Sequence, residues 1–477
     1  MAVAWRCWAM ADRSQIPLAI IGGGASGLAA AITAARLLKP HRIGPVVLLE
    51  RMDRVGRKLL ATGNGRCNLT HTGADMKSYH GRDIRFALGA LRRFDSEATI
   101  AFFHDLGMLC RTESDGRVFP YSLQANTVLD ILRQTAADLS VDMRTGFEVA
   151  SIQPSEPLFI GNEPLSEAAG FELFSSGREH LHARKILVAT GGCASPALGS
   201  NGSGFDILTA LGHELVPPLP AIVQVTTETT LVKPLSGIKV QGRARLYIEK
   251  TEIASDDGEI LFTDYGLSGP PILQLARFVS QHLADGKPMH MVIDLMPEYE
   301  ESAVGAILTE FISNSSGLTV GDALNGLLHK KVAQIVVRQA VQRPVTDPAR
   351  SLTKDERRLL AAMIKNLPVA VTGTRGFAGA QVTAGGIATD GFRPDSLESK
   401  KCPGLYAAGE VLDIDGDCGG FNLQWAWASG VLAGRKAAES LIREARDGGR
   451  TAAMDKQFRS AVKERQNRQD HRPRQKP

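Results

Sequence analysis

Three glycines spaced Gly22-x-Gly24-x-x-Gly27, with Glu50 standing 23 residues beyond the last of them, are the residues of this chain best suited to chemistry. That chemistry is the capture of a dinucleotide. Gly22 permits a tight turn, Gly24 lets the backbone approach a pyrophosphate, and Gly27 lets a helix pack closely on a strand. The amides of Ala25 and Ser26 open a helix whose N-terminus faces the anion. A carboxylate at Glu50 accepts both hydroxyls of a ribose. The glycine spacing alone is a weak signal, because ordinary Gly-rich loops also produce it. Further groups of this kind recur along the chain. Arg51, Arg54, Arg57, Lys58 and Arg66 surround Gly63-Asn64-Gly65. Cations beside a glycine turn suit a phosphate or an anionic ring; a loop of solvated arginines is the alternative. Thr190-Gly191-Gly192, Gly409-Glu410 with Asp413, and Gly420-Phe421-Asn422-Leu423 add turns, carboxylates and a helix start. Such groups reach sugar, pyrophosphate or ring-edge oxygens.

These groups need elements to position them. Leu18–Ile21 reads as a strand and the Ala-rich run Leu28–Ala35 as the helix after the glycine turn. A second strand, Val46–Leu49, delivers Glu50. Phe94–Leu109 has helical spacing, Arg117–Pro120 is strand-like, and a helix begins near Leu123. Phe147–Ile152 reads as a strand whose backbone, around Val149, meets an adenine in a two-dinucleotide fold. Asn162–His180 reads as a polar hairpin, and Ile186–Ala189 as the strand before Thr190. From Val223 the pattern changes. Val223–Lys250 and Glu259–Phe262 alternate as strands do, a helix follows the Gly-Pro turn at Gly269, and Met291–Leu295 is a further strand. Glu298 to Gln342 is mostly helical. The predicted organisation is a disordered leader (1–15), a first nucleotide-binding part (16–205), a β-rich insert (206–367) with a helical lobe at about 298–342, a second nucleotide-binding part (368–442) and a basic, disordered tail (443–477).

Composition narrows the classes. Six scattered cysteines form no CxxC pair, which excludes a zinc site or a disulfide framework and fits a reducing cytoplasm. No stretch is long and apolar enough for a membrane helix or a signal peptide. The formal charge is +4, but residues 456–477 hold eight Lys or Arg against two acids, so the rest of the chain carries −2. Such a tail is usually solvated; contact with RNA or another polyanion is the sharper expectation. A dithiol flavoenzyme would need a second cysteine five positions after Cys67, where Thr72 stands. Cys67 is thus either a buried small residue or a lone acid.

The stretches GGGASGLAAAITAA, GRKLLATGNGRCNLT, GRVFPYSLQA, LVATGG, GLSGPPILQ, QVTAGGI and GLYAAGEVLDIDGDCGGFNLQWAWASG together resemble the BaiN/YhiN-like FAD-dependent oxidoreductases. The resemblance runs from Leu18 to Leu441 and departs at His71, where that family more usually has Asn. It implies an α/β fold: a discontinuous two-dinucleotide, Rossmann-like FAD-binding domain with an inserted β-barrel-like subdomain and a small helical lobe. It also implies NAD(P)H-dependent reduction of a conjugated C=C bond, in a 3-oxo bile-acid enone or in a uracil of ribosomal RNA, giving dihydrouridine. In either substrate, hydride reaches the β-carbon while negative charge grows on the carbonyl oxygen. Arg66, Arg117 and Arg375 are candidates to face that oxygen, and Cys67 and Tyr121 to protonate the α-carbon. One glycine fingerprint implies one resident dinucleotide, so nicotinamide visits and leaves before substrate enters. Two other readings stand: an FAD-dependent amine oxidase of the aminoacetone type, and an RNA- or ribosome-associated protein whose FAD is structural.

Overall fold

The computed structural model describes residues 15–470 except 156–158, 161–162, 165–169, 284–285 and 315–316; side chains are described as far as Asp447. The leader apart from Gln15 lies outside the described residues, as does part of the expected hairpin Asn162–His180.

The central sheet begins where the sequence places it. The strand Ile16–Ile21 is buried on both faces, with Leu18, Ala19 and Ile20 fully inaccessible, as expected of a parallel strand covered by helices. It pairs in parallel with Val46–Glu50 on one side and His180–Val188 on the other. Asp142–Thr145 adds to the first edge and Leu405–Ala407 pairs with the far end of His180–Val188, both in parallel. Phe171–Ser175 and Val149–Pro154 complete the sheet antiparallel. Chain-distant Leu405–Ala407 thus joins the strands of the first part, which makes the nucleotide-binding domain discontinuous.

The first helix, Ala25–Leu38, sits on this sheet at a distance that only glycine permits. A Cβ on Gly27 would lie 1.9 Å from the Gly22 carbonyl oxygen. The closing helix, Phe421–Asp470, packs on the first in the same way: a Cβ on Gly430 would meet Ser26 O at 2.3 Å, and one on Gly434 would meet Ala30 O at 2.5 Å. Two fully buried indoles anchor its start, Trp425 donating to Gly409 O (3.1 Å) and Trp427 to Leu69 O (3.0 Å). Buried Gln424 accepts from the hydroxyls of Thr70 and Thr99 (2.6 and 2.8 Å). The sequence predicts a disordered tail from 443, but the helix runs through that boundary. Glu444 explains why: it bridges Arg184 and Lys185 of the central sheet, both at 2.7 Å.

The β-rich region is a closed six-stranded barrel, in order Val225–Thr227, Gly266–Ser268, Thr251–Phe262, Lys239–Ile248, Met289–Asp294 and Leu367–Thr374, which pairs back to the first. Closure removes the free sheet edges. The helix Pro270–Leu283 packs on it, and the helices Glu301–Asn314, Lys330–Ala340 and Lys354–Lys365 form the lobe. An antiparallel pair, Leu215–Ala221 with Val382–Ile387, ties the barrel to the nucleotide-binding domain.

Candidate active site

A cleft of about 630 Å³ runs between the central sheet, the barrel and the start of the closing helix. One end is built by the glycine turn. Gly22, Gly24, Ala25 and Ser26 line it, with Thr190 and Gly191 opposite. A Cβ on Gly24 would meet nothing within 4 Å, so this glycine faces open cleft. Gly24 is also the N-cap of the first helix and offers no side-chain cap, which leaves first-turn amides free for an anion. Ser26 Oγ is buried and has no partner. Glu50 is 8% exposed and lines the cleft, its Oε2 accepting from Gly23 N and its Oε1 from Met52 N, both at 2.8 Å. These bonds fix the carboxylate in place. Arg51 and Val149 line a small hollow that shares Gly22, Glu50 and Thr190 with the cleft. This end fits an adenine nucleotide: open glycine, free amides, an unpaired hydroxyl and an oriented carboxylate. Glu50→Ala should weaken retention of such a ligand by about 1–3 kcal/mol through unpaired ribose hydroxyls. Titration of the stripped protein measures it; unchanged affinity would move the role elsewhere.

The middle of the cleft carries Lys58, Gly63, Asn64, Asn68, Gly420, Asn422 and Leu423. Asn68 is 9% exposed and its Oδ1 has no partner. Glu410 also lines the cleft, yet its oxygens are committed, one to Lys58 Nζ (2.8 Å) and one to Thr383 N (2.8 Å). It braces Lys58 rather than presenting a free carboxylate.

The far end mixes the loop cations with the barrel. Arg66 lies 4.4 Å above the Phe119 ring and 3.2 Å from Glu113 Oε1; Arg117 takes Glu113 Oε2 at 3.2 Å and Asp115 at 2.7 Å. One carboxylate therefore holds two guanidiniums. The barrel supplies Lys239, Glu259 and Ser268, the helix packed on it Leu273, the residues flanking the strand pair Gln224 and Gln381, and the loop before the closing helix Asp417 and Cys418.

Several expected site residues stand apart from these walls. Cys67 is fully buried and outside the cleft lining; burial pushes its thiol up to about 12 despite a hydrogen bond with Thr62. It is a packed small side chain, not an acid for substrate. Cys67→Ala should leave turnover within about twofold of wild type, the bound set for a residue outside the general-acid range; a larger loss in steady-state rate would restore its role. Tyr121 is 65% exposed, under Arg111 on the outer surface. Arg375 stacks on Tyr265 at 4.6 Å, away from the lining. Asp413 is buried, its Oδ2 accepting from Arg82 N at 2.9 Å, and desolvation raises its pKa. Phe421 turns inward to stack on His71 at 4.9 Å. Gly27, Gly192 and Gly409 serve packing: Cβ atoms there would strike Gly22 O, Thr383 Oγ1 and Ser26 Cβ. Gly65 also falls outside the lining.

The barrel residues and Phe119, Asp417 and Cys418 were not legible as site residues. Lys239 and Glu259 form an ion pair of 2.9 Å across neighbouring strands, and no local spacing announces it. Cys418 had one signal: it directly precedes the Gly419-Gly420 turn that opens the closing helix.

Comparison with known proteins adds sequence kinship. The family model described as "HI0933-like protein Rossmann domain" matches residues 16–436. The chain is 37% identical over 422 residues to a 3-dehydro-bile acid delta(4,6)-reductase of Clostridium scindens, spanning 88% of this chain and 99% of that one. It is 28% identical to a ribosomal RNA dihydrouridine synthase of Escherichia coli, spanning 86% and 95%. Among solved structures, the 3-ketosteroid delta1-dehydrogenase of Sterolibacterium denitrificans aligns at a TM-score of 0.46 and 13% identity, over 90% of this chain and 100% of that one.

Proposed function

This chain belongs to the HI0933-like Rossmann family, and from that premise we propose that it is an FAD-dependent oxidoreductase that reduces a C=C bond conjugated to a carbonyl. The observation that carries the reading is the continuity of the cleft. Its dinucleotide end, with open Gly24, unpartnered Ser26 Oγ and oriented Glu50, leads without a break to a chamber walled by Arg66, Arg117 and the barrel. FAD, when bound, supplies the two-electron reducing equivalent.

The chain's own residues do the rest. The free amides of Ala25 and Ser26 and the turn at Gly24 hold the pyrophosphate, and Glu50 the ribose. Lys58, held by Glu410, places a cation in the middle of the cleft. Arg66 and Arg117 face the carbonyl, where charge develops as the double bond is reduced. An apolar wall of Leu261 from the barrel, Leu273 from the helix packed on it and Ile222 excludes water from one side of the substrate.

A 3-oxo steroid-type enone is the first substrate class, supported by the name of the relative at 37% identity. Uracil in ribosomal RNA is the second, supported by the relative at 28% and by the basic residues after Lys456. NADH or NADPH is the proposed donor, visiting and leaving before substrate binds. That order gives parallel double-reciprocal plots, and intersecting plots would contradict it. The substrate class is tested by mass spectrometry of ribosomal RNA from cells with and without the protein, alongside turnover of a 3-oxo-4-ene steroid. Loss of dihydrouridine assigns RNA; unchanged RNA with steroid turnover assigns the enone; neither rejects both classes.

A further inference from the structure

We propose that the Cys418 thiol is the acid of this cleft, giving its proton to the carbon α to the carbonyl of the conjugated substrate; the proposal rests on the reductase reading above. The cleft walls themselves narrow the choice. Among the described residues they contain no tyrosine and no histidine, and one cysteine. The carboxylates there are engaged: Glu50 with two backbone amides, Glu410 with Lys58 and Thr383, Glu259 with Lys239, and Asp417 with His80 at 2.7 Å and with Gln274. Cys418 is exposed to the cleft.

Its loop is held rigidly. Cys418 N donates to Gln274 Oε1 at 3.0 Å, the same side chain that binds Asp417. Two residues on, Gly420 presses on the backbone, where a Cβ would lie 2.7 Å from Thr70 O. A second, independent observation brings a ligand to this loop. Asn68 Oδ1 is unpartnered on a side chain more than nine-tenths buried, lines the same cleft, and lies 2.9 Å from where a Gly420 Cβ would stand. A buried acceptor left open there awaits a donor from a bound molecule.

Desolvation raises the thiol above its ordinary range and Asp417 and Asp256 add to the rise, while the charge of Arg117 opposes it by favouring the thiolate. Arg117 thus steadies the sulfur as the proton leaves. The step balances: the S–H bond breaks, a C–H bond forms at the α-carbon, and hydride from the reduced cofactor completes the β-carbon. Water then returns a proton to the thiolate, and sulfur undergoes no net redox change.

The test compares cofactor-loaded wild type, Cys418→Ala and Cys418→Ser. Bound cofactor content and the enone-induced shift of its absorption report folding and binding. The samples are reduced with dithionite without oxygen and mixed with 4-androstene-3,17-dione or a uridine oligonucleotide. We expect Cys418→Ala to load cofactor and show the binding shift, yet to transfer hydride about 100-fold or more slowly, the lower range for general acid catalysis. Cys418→Ser should fall between. Iodoacetamide should alkylate Cys418 in the free protein, and the enone should block it, as read by peptide mass. Wild-type transfer in Cys418→Ala overturns the thiol's role and leaves the reductase reading standing. Wild type that no enone or uridine reoxidises overturns both.

Discussion

Replacing Gly24 with valine is expected to give a folded, colourless protein. The two parts of that expectation come from one geometric fact. A Cβ at Gly24 meets no protein atom within 4 Å, so the chain tolerates the side chain; but the open space it enters is the cleft. The cost therefore falls on the ligand. Overlap with a pyrophosphate at this turn amounts to overpacking, on the order of 3 kcal/mol or more, roughly a hundredfold or more in affinity. Gly27→Val supplies the contrast. Its Cβ would lie 1.9 Å from Gly22 O, so it should lose the fold together with the cofactor. Circular dichroism and the visible spectrum separate the two outcomes. A yellow, fully loaded Gly24→Val protein would refute the placement of the dinucleotide.

Arg66→Ala is expected to lower kcat/KM by a transition-state loss on the order of 2–4 kcal/mol, about 30-fold to 1000-fold. Of the three arginines read from the sequence, Arg66 has the strongest case. Arg375 lies off the cleft on Tyr265, and Arg117 is tied to both Glu113 and Asp115. Arg66 has one carboxylate partner and a ring beneath it, lines the cleft, and keeps 37% of its side chain accessible. The remaining N–H groups can face a developing oxyanion. Arg66→Lys should not rescue the loss, because an ammonium has neither the additional N–H groups of the guanidinium nor its planar stack on Phe119. Stopped-flow measurement of hydride transfer checks this; wild-type transfer in Arg66→Ala would assign the carbonyl to another group.

Much of the nucleotide end was legible because backbone geometry demands particular residues there. Gly22, Gly24, Gly27 and Glu50 form a spaced set: Gly22, Gly24 and Glu50 line the cleft, and Gly27 packs on the Gly22 carbonyl. The chemistry end was less legible, because sequence order does not give side-chain direction. Arg66 and Cys67 are neighbours, yet Arg66 lines the cleft while Cys67, at φ 60°, is fully buried. Glu410 and Asp413 read alike as strand-end acids, but Lys58 and Thr383 claim the first and Arg82 the second. The barrel's strands were visible as alternation, but Lys239 and Glu259 reach the cleft through closure of the barrel, a long-range property. The first residues of the predicted tail are held by a long-range contact of the same kind: Glu444 is bound by Arg184 and Lys185, residues some 260 positions earlier in the chain.

The proposed reaction of this cleft is the passage of a hydride to a conjugated carbonyl compound. Its most direct test is anaerobic: the cofactor-loaded protein is bleached with one equivalent of NADPH or NADH, then mixed with a 3-oxo-4-ene steroid or a uridine oligonucleotide while the flavin spectrum is followed. Bleaching by the nicotinamide is expected first, then return of the oxidised spectrum in step with formation of the saturated ketone or dihydrouridine. A protein that nicotinamide leaves yellow, or that stays bleached with every such acceptor and recovers only when air is admitted, would contradict it.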